Sequence, residues 1–121
     1  MDKVMEATWK FRKELNAGIS SLLLLSVMDQ AEEPLYGYLI AKMISEKSGN
    51  IPIMKQGALY PVLRSLAALG LLDSHVDPSV SGPPRRYYWI TEAGRKALKE
   101  WRIVWTEARD FIEIILGGEN V

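Results

Sequence analysis

The sequence predicts a mainly α-helical chain with one small two-stranded β element and a single long helix at its end. Three observations carry this. The run Ile19, Leu22, Leu23, Leu24, Leu25, Val27 and Met28 is apolar nearly all round, the mark of a helix at the centre of a small domain. Leu35–Lys47 and Gln56–Leu69 repeat apolar residues at helical spacing. Strand-forming residues gather on either side of the Pro/Gly/Ser-rich stretch 77–84, beyond which a long helical segment runs from Glu92 to about Leu116.

Each element follows from local signals. Residues 2–14 carry Val4, Met5, Trp9 and Phe11 among charges, a modest amphipathic pattern that predicts a short helix or arm. The apolar helix then runs from Ala17 to Met28 and ends near Asp29–Pro34. Tyr36, Leu39, Ile40, Met43 and Ile44 form the inner face of a second helix, which Ser48-Gly49-Asn50 stops. After the extended Ile51-Pro52-Ile53 comes a third helix with Leu59, Val62, Leu63 and Leu66 inward and Gly70 as terminator. Pro61 requires that helix to begin close to Gln56 or Gly57, because a proline deep in a helix removes a backbone bond. Leu71–Val76 and Arg85–Ile90 read as a hairpin with a stiff loop. Thr91 is a suitable N-cap for a helix from Glu92 to about Leu116, stopped by Gly117-Gly118.

Composition narrows the chemistry. A chain of 121 residues with 48% hydrophobic and 25% charged residues is a globular domain. It has no cysteine and a lone histidine, His75. No thiolate chemistry, disulfide, metal site, cofactor or catalytic constellation is therefore expected, and the chain is read as no enzyme. No nucleophile motif or phosphate loop is present. The longest charge-free stretch, 15–28, is too short to span a bilayer, and the first residues lack the order of a signal peptide. A cytoplasmic location without membrane contact is expected.

The formal net charge is +0, yet the charges are zoned. Lys47, Lys55 and Arg64 share 47–64 with no acid, and 79–96 holds Arg85, Arg86, Arg95 and Lys96 against Glu92 alone. If these two segments meet on one face, phosphates can dock on a neutral molecule. Three helices, a hairpin with a basic loop end and a long helix spell, in this order, a winged helix-turn-helix plus a long C-terminal dimerisation helix, mainly α with a small two-stranded β-wing. The outer face of the third helix consists of Gly57, Pro61, Arg64, Ser65 and Ala68, with Ala58 and Tyr60 at its margins. Small residues admit close approach to a groove, and Lys55, Gln56 and Tyr60 stand at the end where the helix dipole favours phosphate. The candidate DNA-binding residues are Lys55, Gln56, Gly57, Ala58, Tyr60, Arg64, Arg85 and Arg86.

The stretches Leu35-Tyr36-Gly37-Tyr38-Leu39-Ile40-Ala41, Gln56 to Arg64, Leu66 to Leu72 and Gly82 to Gly94 resemble the signature of PadR-like transcriptional regulators, in consecutive register over about 17–105. The resemblance implies a homodimeric repressor that binds a pseudo-palindromic operator on double-stranded DNA, often beside its own gene, and releases it when an effector binds. The single terminal helix is similar to that of the family's short subgroup, where it packs across the dimer and some members bind flat aromatic compounds between subunits. Ala58 stands where the family usually has Thr, and Gln56 replaces a commoner acid.

Dimerisation is also legible in the residues themselves. Ala97, Trp101, Val104, Ala108, Phe111 and Ile115 follow alternating steps of four and three, widened by Leu98, Trp105 and Ile112. A helix with such a stripe needs a partner, and Trp9 and Phe11 join it if the N-terminal segment crosses to the other subunit. Trp101 and Trp105, one turn apart, are the candidate slot for an aromatic effector. The chain thus divides into an N-terminal helix or arm (1–14), a DNA-binding unit (15–91) and a dimerisation helix with its tail (92–121). The rival reading is a winged-helix protein-interaction or assembly module. The basic, small-residue face of the third helix and the double Arg speak against it, since docking faces show exposed aromatic or aliphatic anchors.

Overall fold

The computed structural model describes residues 2–49, 56–78 and 81–117. Helix α1 runs from Lys3 to Gln30, followed by strand β1 (Leu35–Tyr36), helix α2 (Gly37–Ser48) and helix α3 (Gln56–Ala68). Strands β2 (Leu72–Asp77) and β3 (Arg85–Ile90) form the wing, and helix α4 (Glu92–Leu116) closes the sequence of elements. Ile51–Ile53, expected to be extended, and Gly118 lie outside the described residues.

Two local expectations change. The arm and the apolar helix are one continuous helix, opened by the Asp2 carboxylate accepting the Met5 N–H at 2.7 Å. Asn16-Ala17-Gly18 does not break it, because a mid-helix glycine costs only about 1 kcal/mol. The sheet has three strands rather than two, in the order β1-β3-β2, all antiparallel. Leu35 and Tyr36, expected to open the second helix, instead pair with Tyr88 and Tyr87.

The core gathers one stripe from every element. Leu24, Leu25 and Met28 of α1, Ile40 of α2, and Leu59, Leu63 and Leu66 of α3 are essentially fully buried. The sheet adds Leu72, Tyr88 and Ile90, and α4 adds Leu98. Helix α3 ends in a Schellman arrangement at Gly70 (φ +78°): the Leu71 N–H donates to the Leu66 carbonyl and the Gly70 N–H to that of Ala67, both at 3.0 Å. That turn delivers the chain into β2 and fixes α3 against the wing.

Helix α4 is seated as its caps predict. Thr91 Oγ1 accepts the Gly94 N–H at 3.0 Å, and the same hydroxyl donates to the Gly70 carbonyl at 2.7 Å. Gly117 adopts the left-handed cap. No helix among the described residues is long and apolar enough to cross a membrane, and no group of His, Asp or Glu side chains among them gathers as a metal site.

Candidate nucleic-acid interface

Helix α3 divides cleanly into two faces. Leu59, Leu63 and Leu66 point into the core while Gly57, Ala58, Tyr60, Pro61, Arg64 and Ser65 are exposed. Between this outer face and the wing opens a cleft of about 730 Å³, to which α3 contributes Tyr60 and Arg64 and the wing Arg85 and Arg86. Among the described residues its lining holds three arginines and no carboxylate. The two basic segments, separate in sequence, therefore meet at one opening whose field favours an anion.

Four of the eight candidate DNA-binding residues share this cleft: Tyr60, Arg64, Arg85 and Arg86. Gly57 and Ala58 lie exposed on α3 beside it rather than in its lining. Lys55 lies outside the described residues, as does the side chain of Gln56. Tyr60 has a second task. Its ring rests on Gly37 so closely that a Cβ there would fall 2.5 Å from Cε1 and 2.7 Å from the hydroxyl oxygen. Glycine at the first position of α2 is what lets α3 approach this near.

Pleating sends the two wing arginines to opposite faces of β3. Arg86 shares its face with buried Tyr88 and Ile90, and its Nη1 donates to Ser74 Oγ at 2.9 Å across the hairpin. Arg85 shares the other face with Tyr87 and stands with its guanidinium carbon 4.5 Å from the ring centroid of Tyr36. Tyr36 in turn meets Tyr87 edge-on at 5.5 Å and stacks with Tyr38 at 6.4 Å. Ser74 and the Tyr36 ring were not singled out as site residues in the sequence. The spacing of Ser74 to Arg86 depends on hairpin register, and that of Tyr36 to Arg85 on a strand pairing across some fifty residues.

The candidate dimer residues separate at Trp101. Leu98 is 2% exposed and belongs to the chain's own core, so it is not a surface residue, and Ala97 and Trp101 pack half-buried against that core. Beyond them Val104, Trp105, Ala108, Phe111, Ile112 and Ile115 are all exposed. The first half of α1 mirrors this, leaving Val4, Met5, Trp9, Phe11 and Leu15 exposed. Of the expected effector pair, Trp101 is thus partly enclosed by its own chain while Trp105 remains 40% exposed.

Comparison with known proteins adds to this geometry. The Transcriptional regulator PadR-like family matches residues 24–100. A PadR family transcriptional regulator from Eggerthella lenta superposes with a TM-score of 0.77 at 32% identity, over 93% of this chain and 95% of its own. A PadR-like transcriptional regulator from Bacillus cereus does so with a TM-score of 0.68 at 25% identity, over 88% and 99%. An uncharacterized protein of Lysinibacillus sphaericus is 30% identical over 87 residues, 72% of this chain and 80% of its own.

Proposed function

Because the chain belongs to the PadR-like family of transcriptional regulators, we propose that it is a homodimeric repressor that reads a pseudo-palindromic operator with α3 in the major groove and its wing on the backbone or minor groove. The observation that carries this reading is the cleft in which Tyr60, Arg64, Arg85 and Arg86 converge with no carboxylate among the described lining residues. A helix with a small-residue outer face, flanked by cations on a hairpin, suits a groove between two phosphate rows.

The unpartnered halves of α1 and α4 support the dimer. Val104, Trp105, Phe111, Ile112 and Ile115 lie exposed along α4, and burying each large apolar side chain is worth roughly 1.5–3 kcal/mol. A second copy covers them and brings two recognition helices to bear on successive half-sites, roughly 34–36 Å apart. Trp105, exposed beside half-buried Trp101, supplies the flat apolar wall for an aromatic effector at the subunit boundary. Effector binding there releases the operator.

The test is binding of the purified protein to labelled duplex from upstream of its own gene, titrated with salt and with unrelated competitor duplex. Retention that survives competitor and weakens steeply with salt is the expected result. Retention abolished by competitor at every salt concentration rejects recognition of that upstream site.

A further inference from the structure

The position of Arg85 is unusual for a cation on a hairpin. Its cross-strand partner is Asp77, an opposite charge directly across an antiparallel pair, which ordinarily attracts it. Among the described residues no ion pair joins them. The guanidinium lies instead over the face of Tyr36, 4.5 Å from its centroid. Tyr36 itself contacts two further rings, Tyr87 edge-on at 5.5 Å and Tyr38 at 6.4 Å, which restrict the ring that receives the cation.

The choice of partner has a consequence for an anion. Pairing with a carboxylate would occupy the N–H edge of the guanidinium and cancel its charge. A ring beneath the cation carries no opposing charge, so the full charge of the guanidinium remains available to a phosphate. Tyr36 also precedes Gly37, the residue on which Tyr60 of α3 rests. Adjacent residues thus seat the recognition helix on one side and the wing cation on the other.

We propose that Tyr36 is a positioning residue for DNA binding, holding Arg85 stacked and uncancelled at the spacing from α3 that the duplex requires. The inference rests on the DNA-binding reading above. It assigns to the start of α2 a part in recognition through Arg85.

The experiment is a double-mutant cycle on duplex binding, using the upstream duplex and a random duplex of equal length, with folding of each variant checked by circular dichroism. Y36L is expected to weaken binding by roughly two- to fivefold for each wing engaged, and Y36F, which keeps the ring, to retain wild-type affinity. R85K keeps the charge but loses the planar face, so it is expected to weaken binding in the wild-type background and to cost nothing further in the Y36L background. Additive losses in R85K/Y36L, or a Y36L protein with wild-type affinity, overturn the proposal while leaving DNA binding in place. Absence of salt-dependent binding by the wild-type protein overturns both readings together. A second measurement needs no variant to fold: in the free wild-type protein the Arg85 side-chain protons are expected to shift upfield in the Tyr36 ring current, and unshifted resonances reject the stacking itself.

Discussion

Gly94 lies in the first turn of α4, buried, with its Cα turned toward the Leu71 carbonyl. A methyl group there would run into that carbonyl and stand 2.7 Å from Ile90 Cγ1. The carbonyl cannot retreat freely, because it accepts the Thr91 N–H at 3.1 Å. G94A is therefore expected to destabilise the protein by about 1–3 kcal/mol despite the better helix propensity of alanine. Gly18 offers the contrast: a helical position with nothing within 4 Å of the added carbon. G18A is expected to stabilise by about 0.5–1 kcal/mol. Urea unfolding of both variants decides the matter, and midpoints that move in the same direction contradict this account of the α4 seat.

At the scale of elements, α4 joins the wing to the exposed apolar stripe beyond Trp101, and Thr91 is its fastening. The side chain caps the helix through Gly94 and donates back to the Gly70 carbonyl at the end of α3. T91A loses both, so a cost of about 1–2 kcal/mol in unfolding is expected, whereas T91S should recover most of it; equal losses in the two variants would show that the hydroxyl is not the agent. Helix α4 was legible residue by residue because its signals, Thr91 and Gly117, are local. The three-helix core was legible for the same reason, through the spacing of Leu59, Leu63 and Leu66. What could not be read was set by distant partners. Strand β1 is only two residues long and exists because β3 lies beside it. The first half of α1 looks separable in sequence, yet an Asp2 cap and a tolerated Gly18 join it to the buried half. Leu98 falls within the heptad stripe but turns inward, since the seam leaves the chain's own core only beyond Trp101. In the cleft the cations were visible as a basic zone, while their contacts with Ser74 and Tyr36 depend on strand register.

The whole molecule couples two surfaces that a single chain leaves unsatisfied: an apolar one along the outer halves of α1 and α4, and a cationic one between α3 and the wing. For the first, F111D combined with I115D places charges where both side chains are more than 60% exposed in the single chain. Those substitutions leave the chain's own core untouched, so helical content should persist while the mass by light scattering falls from twice 13.7 kDa to that value; an unchanged dimer places the interface elsewhere. The second surface exists although the formal net charge is +0. Its reach is set by local fields, which salt screens within about 10 Å at 0.1 M. Each phosphate contact released on charge reversal should lower the slope of log affinity against log salt by about 0.9. R85E/R86E is thus expected to weaken binding most at low salt and to flatten that slope, with the mutant and wild-type curves converging as salt rises. Both side chains are exposed and neither belongs to the core, so the loss is not one of folding. An unchanged slope at lowered affinity would remove the wing arginines from the phosphate contacts and leave α3 as the surface that holds the duplex.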